Sequence, residues 1–441
     1  MAFKVLFVYP NHGSELRIPL AISILVSAIK NAGHDVKLFD TTFMGEFKTD
    51  NDAMVKLGTH QQTNLNDLVG ETKQINPKQE LCSTIEQYKP DLICVSLVER
   101  NLNEAKELLK DVNAPVIVGG IMPTIAPEYF KNQDWVDMIC VGEGEQAIID
   151  IIEKGTYTPS LTSMDKIPEQ DWTLFDRRHL LKPFMGKVYT GGAFELSRGC
   201  FKSCTFCVAP KLREVQQGLG CYHRTKTPHT CIREIEHKIK DYNLEMIAFS
   251  DTDFLSGVPK KTMKEFLTLY KDRVNLPFTM QASVQTLLDE DILSLLRQAQ
   301  CCAVSVGVES GSERIQKTVL KKVIPYVLLK KAFDLCRKHE LRVTANYMIG
   351  LPFETEEDVR ETIELNRKVN PPSIAVTFFT PFMGTELYDV CIKNGFYKPF
   401  TENVYEYPPL DMKQFPQDKI KQMVKEFTEN FKSYQDDFNI L

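Results

Sequence analysis

The sequence predicts an α/β protein: an N-terminal doubly wound parallel sheet, then a partial (β/α)6 barrel, then a short C-terminal cap. Two patterns carry that expectation. Short β-branched apolar runs alternate with helical segments along most of the chain, as parallel strands joined by crossover helices do. The alternation stops over a polar, proline-punctuated stretch and then restarts, as it does across an interdomain linker. The expected organisation is a sheet domain over 1–153, a linker over 154–190, a barrel domain over 191–387 and a capping region over 388–441.

In the first domain the runs KVLFVY (Lys4 to Tyr9), DVKLF (Asp35 to Phe39), DLICVSL (Asp91 to Leu97), PVIVGG (Pro115 to Gly120) and DMICVG (Asp137 to Gly142) read as buried parallel strands. Helices are expected near Ile18–Ala32, Pro77–Tyr88, Leu102–Lys110, Thr124–Asn132 and Glu145–Glu153, the crossovers that parallel strands need. In such a sheet a ligand lies outside the carboxyl ends of the strands at the switch point. The loops expected there are Asn11-His12-Gly13-Ser14, Glu99-Arg100, Gly119-Gly120-Ile121-Met122-Pro123-Thr124 and Gly142-Glu143-Gly144. Their glycines let backbone approach a ligand closely.

In the second domain, AFELS, MIAFS, FTMQAS, AVSVGVES, RVTANYMIG and SIAVTFF read as strands separated by helices. Six such repeats make a partial barrel, with its chemistry expected at the carboxyl ends of the strands. Beyond about Tyr388 an aromatic, proline-rich stretch with Tyr397, Phe400, Tyr405, Tyr407 and Phe415 precedes a terminal helix near Gln417–Tyr434. Such a cap would exclude water from the chemistry beneath it.

Composition narrows the class. The chain has 441 residues, 43% hydrophobic and 25% charged, with net charge -6. This balance argues against a general nucleic-acid binder. No apolar run approaches the roughly 20 residues of a membrane span, and the opening MAFKVLFVYP lacks the basic and apolar regions of a secretory signal. The expected location is cytoplasmic, where grouped cysteines more often bind metal or do chemistry than form bridges.

Cys200, Cys204 and Cys207 stand as C-x-x-x-C-x-x-C in ELSRGCFKSCTFCVAP. Three thiolates can hold three irons of a 4Fe-4S cluster and leave the fourth without a protein ligand, whereas electron-transfer clusters are closed by four cysteines. A zinc site is the rival reading, with Cys221 or His223 as fourth ligand. With Phe206 before the third cysteine, the pattern resembles the radical S-adenosylmethionine (SAM) superfamily. The resemblance implies that the open iron chelates SAM and that one electron cleaves the sulfonium to a 5'-deoxyadenosyl radical.

The strand-end loops carry the resemblance further and imply SAM contacts. Asp251 and Asp253 in MIAFSDTDF would meet the SAM ammonium, although Asp253 also reads as a helix cap. Gln281 in FTMQAS, Glu309 and Ser310 in GVESGSERI, and Gly350 and Leu351 in MIGLPFETEED fall at the family's other SAM-contacting positions. Together with VGGIMPTIAPE and VGEGE upstream, the whole chain resembles the cobalamin-binding radical SAM enzymes, or class B radical SAM methylases. That implies a 4Fe-4S cluster, SAM and cobalamin as cofactors, with the corrin held by the first domain's Rossmann-like loops.

Two departures matter. The cobalt-ligating D-x-H-x-x-G motif is absent: around His12 only the histidine matches, and without the flanking Asp nothing fixes or polarises the imidazole. Glu99 or Arg100 could instead face cobalt, or be a solvated charge pair. Methylthiotransferases share the cysteine motif but carry three more cluster cysteines, for which Cys82, Cys94 and Cys140 are wrongly spread.

The resulting expectation is methylation of an unactivated carbon of a small metabolite or natural-product intermediate, through SAM and methylcobalamin. Alternatives are a cobalamin-dependent cyclase or rearrangement enzyme, and a non-catalytic cobalamin or SAM sensor. Arg198, Lys202, Lys211, Arg213, Arg224 and Lys226, with His223 and His229, surround the cluster motif. They are either a solvated face or a contact for an anionic substrate or an acidic electron donor such as flavodoxin or ferredoxin.

Overall fold

Five strands form one parallel sheet in the computed structural model, which describes residues 2–11, 16–45, 47, 65–399 and 407–432. They are β1 (Lys4–Tyr9), β2 (Asp35–Asp40), β3 (Leu92–Ser96), β4 (Val116–Gly119) and β5 (Met138–Ile139), ordered β2-β1-β3-β4-β5. Val5, Leu6, Phe7 and Val8 are all buried, as a strand covered on both faces requires. The chain runs outward from β1 to β2 and returns on the other side as β3. The crevice therefore opens at the carboxyl ends of β1 and β3.

Crossover helices lie at Leu20–Asn31, Pro77–Tyr88, Leu102–Leu109 and Gly144–Lys154. Pro77–Tyr88 starts where it does because Asn76 accepts from the Gln79 amide at 3.1 Å and Pro77 occupies the first turn. The helix expected over Thr124–Asn132 is instead two short turns, Ile121–Ile125 and Pro127–Phe130. Pro127 has no amide to continue the first turn and disfavours helix at Ala126.

The second sheet has seven strands. β6 (Leu181–Phe184) and β7 (Lys187–Phe194) form an antiparallel hairpin. After the short ribbon β8 (Ser197–Arg198) and β9 (Arg224–Thr225) come β10 (Met246–Phe249), β11 (Phe278–Gln281), β12 (Cys301–Glu309), β13 (Arg342–Ile349) and β14 (Ser373–Phe378). The order is β14-β13-β12-β11-β10-β7-β6, parallel from β10 to β14. The stretch read as linker thus contains β6 and the start of β7. Pro183 is compatible with a strand there because β6 lies at the edge, and Met185 and Gly186, both at positive φ, make the tight turn.

Helices Pro228–Tyr242, Lys260–Arg273, Glu290–Gln298, Tyr326–Lys338 and Glu356–Val369 alternate with these strands. Phe249 at the end of β10 and Phe254 pack with tilted rings, centroids 4.6 Å apart, beside Phe266, Tyr270 and Phe278. This aromatic core pins both ends of the Ser250–Asp253 loop. The terminal helix Gln417–Lys432 buries Ile420, Met423, Val424 and Phe427, one apolar stripe. In the expected cap Tyr397 and Phe415 are buried and Tyr407 is exposed, while Phe400, Tyr405 and Tyr434 lie outside the described residues.

Two compact units result. One gathers the described residues up to Ala193 with Lys211–Arg224; the other gathers Phe194–Pro210 and the described residues from Thr225 onward.

Candidate functional site

Cys200 and Cys204 are buried and Cys207 half-buried. Burial raises the pKa of Cys204 and Cys207, Cys200 raises both further and Cys207 raises that of Cys204, while the Lys322 ammonium pulls both Cys204 and Cys207 down. The Ala209 amide also donates to the Cys207 sulfur at 3.4 Å. A set of mutually repelling thiols beside a fixed cation and an amide suits cationic iron, which would take them as thiolates.

The set is not shaped for one ion. Zn–S bonds of about 2.3 Å would draw the sulfurs to within about 3.8 Å of one another, whereas in a cubane each cysteine takes a different iron. Among the described residues no three or more His, Cys, Asp or Glu side chains gather around a single point. Cys221 is exposed and donates to the His223 carbonyl at 3.0 Å.

Thr205 fixes the arc between the second and third cysteines. Its amide donates to the Leu320 carbonyl at 3.2 Å, its hydroxyl to the Val319 carbonyl at 2.6 Å, and its own carbonyl accepts from the Leu387 amide at 3.1 Å. Val319 and Leu320 end a π-helical turn, Gln316–Leu320; such wide turns leave carbonyls open to outside donors and recur at functional sites.

Asp251 and Asp253 separate cleanly. Asp251 accepts from the Leu196 amide at 3.1 Å and from the Ser197 amide and hydroxyl at 2.6 and 2.7 Å. It braces the chain just before the cysteines, and burial pushes its pKa up to about 7. Asp253 caps no helix, since the next one begins at Lys260. Its carboxylate is buried, neither oxygen has a hydrogen-bond partner, and the Lys202 ammonium stands 3.9 Å away. A buried carboxylate in that state favours a cationic ligand.

The remaining SAM candidates cluster at strand ends. Gln281 is exposed at the end of β11. Glu309, at φ 70°, pairs with Lys322 at 2.8 Å. Ser310 is fully buried, its hydroxyl 3.3 Å from that of Thr362, so it packs the loop. Gly311 must be glycine, because a Cβ would lie 2.5 Å from the Thr362 Cα. The Gly350 and Leu351 amides donate to Glu354 at 2.6 and 3.1 Å. Buried and with its other oxygen unpartnered, Glu354 has its pKa pushed up to about 8.

Lys322 is the residue that sequence reading missed. Its ammonium donates to the Gly307 carbonyl at 2.7 Å and to Glu309, and lies 5.9 Å from the Phe206 ring centroid. It lines a cavity of about 230 Å³ with Lys202, Cys204, Gln285 and Gly307. A Lys-Lys pair 12 and 13 residues past Glu309 is a faint signal, because lysines after a strand are ordinarily solvent-facing.

Most of the basic crowd around the motif is engaged by carboxylates. Arg198 pairs with Glu195 and Lys226 with Glu234 in one unit, Lys211 with Glu214 and Arg224 with Glu143 in the other.

In the first unit the candidate corrin edge is partly built. Thr124 donates to the Gly120 carbonyl at 2.7 Å and accepts from the Gly142 amide at 3.1 Å, tying two glycine loops together. Gly120, at φ 94°, sits where a Cβ would lie 2.8 Å from the Ser96 hydroxyl, and Gly119 and the buried Pro123 flank it. Gly142, at φ 99°, borders open space. Val98 and Ile121, just past β3 and β4, are 40% and 42% exposed, an apolar ledge at the carboxyl edge suited to a flat ring.

Other corrin candidates are structural. Asn11 is held by Thr41 and Thr42 at 2.8 Å each, and Glu143 accepts from the Thr162 amide and pairs with Arg224. Gly144 opens a helix against Leu25. Glu99 and Arg100 occupy a 3-10 turn after β3, Arg100 exposed. His12, Gly13 and Ser14 lie outside the described residues. Of the cysteines weighed as extra cluster ligands, Cys82 is exposed, whereas Cys94 and Cys140 are buried with raised pKa, Cys140's to about 11; burial makes these two poor thiolate donors.

Comparison with known proteins agrees with this division. The B12 binding domain family matches residues 16–152 and the radical SAM superfamily matches residues 194–365. An uncharacterized methyltransferase of Pyrococcus horikoshii is 23% identical over 96% of this chain and 91% of its own. The anaerobic magnesium-protoporphyrin IX monomethyl ester cyclase of Rubrivivax gelatinosus is 24% identical over 87% of this chain and 69% of its own. The radical SAM methyltransferase TsrM of Kitasatospora setae, solved with cobalamin and a [4Fe-4S] cluster, shares the fold at TM-score 0.64 and 18% identity, over 89% of this chain and 78% of that one. With both domains matched in this order, the chain belongs to the cobalamin-binding radical SAM enzymes, whose cofactors are a 4Fe-4S cluster, SAM and cobalamin.

Proposed function

We propose that this enzyme methylates an unactivated carbon of a small, anionic metabolite, taking its electron from an acidic carrier such as flavodoxin or ferredoxin. The observation that carries the reading is the cluster loop itself: the thiols of Cys200, Cys204 and Cys207, with Lys202 of the same loop reaching a buried Asp253 carboxylate that accepts no hydrogen bond. When bound, the cluster supplies the electron that breaks the SAM sulfonium and cobalamin supplies the methyl group.

In this reading Cys200, Cys204 and Cys207 would hold the cluster and leave one iron open to SAM. Asp253 accepts the SAM ammonium, Glu309 and Gln281 bound its ribose end, and Gly350 and Leu351 set the shape of the adenine side. Val98, Ile121, Gly120 and Gly142 support the corrin. Lys202, at the rim of the 230 Å³ cavity, attracts an anionic group of the substrate. The relatives favour methyl transfer, since the P. horikoshii protein and TsrM are both described as methyltransferases. The cyclase relative supports a second reading, ring closure without methyl transfer.

Anaerobic turnover with SAM and dithionite tests both. Methylation releases S-adenosylhomocysteine and adds one methyl to the product, whereas ring closure yields 5'-deoxyadenosine and methionine alone. Cys204→Ala should abolish deoxyadenosine while corrinoid stays bound. Deoxyadenosine formation by that variant, or none by the parent enzyme, would refute the reading.

A further inference from the structure

We infer that the outer face of helix Tyr326–Lys338, with the Lys321–Ile324 segment leading into it, is the docking surface for an acidic one-electron carrier protein. The inference rests on the cluster reading above and adds where the electron enters.

Charge is the first observation. Between Thr318 and Lys338 there are six basic residues and one acidic, in a chain whose net charge is -6; the fold sets Glu386 against Lys321, Glu309 against Lys322 and Glu290 against Lys338, so the face keeps an excess of basic over acidic groups rather than a run of unpaired cations. Lys330, Lys331 and Lys338 lie along a shallow groove of about 440 Å³ with Tyr326, Val327 and Leu335. The second is apolar exposure at the head of the same helix. Val327 is 72% exposed, Val323 45% and Tyr326 44%, so a small apolar centre is bordered by lysines, the make-up of a protein interface rather than of a solvated helix face.

The third is continuity with the cluster loop. Lys321, Lys322, Val323 and Ile324 line the 230 Å³ cavity that reaches Cys204. The turn just before them holds Thr205 through the Val319 and Leu320 carbonyls. A carrier seated on Val323 and Val327 therefore lies one segment from a cluster ligand. At that step one electron leaves the carrier's reduced cofactor and enters the oxidised cluster; no bond forms and no proton moves.

The exposed ion pairs on this face, Lys321 with Glu386, Lys330 and Arg337 with Asp334, and Lys338 with Glu290, are cheap to exchange for a partner's carboxylates. A second copy is a poor occupant, because a two-fold contact would set lysines against the same lysines.

The test uses cluster-loaded enzyme and compares 5'-deoxyadenosine release driven by reduced flavodoxin or ferredoxin with release driven by dithionite. In the Lys330→Glu/Lys331→Glu double variant the carrier-driven rate should fall about tenfold and lose most of its salt dependence, with dithionite-driven release and iron content unchanged. Val327→Asp should do the same through the apolar centre. An unchanged carrier-driven rate, or a parent enzyme that neither carrier reduces although dithionite does, overturns the docking surface. Failure with dithionite as well overturns the cluster reading instead.

Discussion

Two residues apart on one loop, Asp251 and Asp253 show how environment divides identical chemistry. Asp251 is consumed by the Leu196 and Ser197 donors; Asp253 is buried with no donor of its own. Asp253→Asn should weaken equilibrium SAM binding to the cluster-loaded protein by tenfold or more, about 1.4 kcal/mol per decade, with iron content intact. Unaltered affinity would remove Asp253 from the SAM site. Sequence reading found both aspartates but could not rank them, because the donors that occupy Asp251 come from more than 50 residues away. Glu354 adds a pH signature. Its pKa, pushed up to about 8 by burial, means the folded state keeps a proton that the unfolded chain releases from about pH 4.3 upward. Its contribution is therefore full at low pH and is lost as pH rises toward 8, and Asp251, raised to about 7, acts in the same sense. Glu354→Gln should flatten this decline in denaturant midpoints measured between pH 5 and 9; an equally steep decline would show that Glu354 is not the group responsible.

Among the elements, the π-helical turn Gln316–Leu320 joins the end of β12 to the cluster loop. Gln316 donates to the Ser310 carbonyl at 2.7 Å and accepts from the Ile324 amide at 2.8 Å, so one side chain spans the turn and aligns Lys322. Thr205→Val keeps shape but leaves the buried Val319 carbonyl without its hydroxyl partner, a loss of about 1–3 kcal/mol. The expected result is several-fold faster loss of iron to a chelator, with Thr205→Ser restoring retention. Equal iron retention in all three proteins would show that Thr205 does not position the loop. None of this was legible beforehand, since a π turn arises from a one-residue widening that leaves no periodicity to read. Propensity located the strands well: β1 and β3 are nearly continuous apolar runs, and β13 alternates buried Val343, Ala345, Tyr347 and Ile349 with less buried neighbours. It failed where proline was ambiguous, reading the Pro183 edge strand as linker and a helix through Pro127, because proline is compatible with an edge strand and with a first helical turn as well as with a loop.

At the scale of the whole molecule, the five-stranded sheet lies wholly in the first unit and strands β10 to β14 wholly in the second, each with its own buried apolar residues, so the two proposed cofactor sites should be separable by mutation. The cysteine motif was legible because iron ligation demands residue type and spacing together. The proposed corrin edge shows in the sequence only as a row of glycine loops, because a large apolar ring would be recognised by surface shape, and shape appears only once β3 and β4 are side by side. That shape rests on Val98 and Ile121, large apolar side chains left exposed at the carboxyl edge. Ile121→Glu touches neither the core nor the Gly120–Thr124–Gly142 ties, so the first unit should stay folded. It places a charge where the ring would lie and removes apolar contact, at about 25 cal/mol per Å² lost. Corrinoid affinity, read from the visible spectrum on titration with hydroxocobalamin, should fall about tenfold or more, while iron and sulfide content match the parent. Full corrinoid affinity would move the cofactor off this edge, and a joint loss of iron would mean that the two units do not hold their cofactors independently.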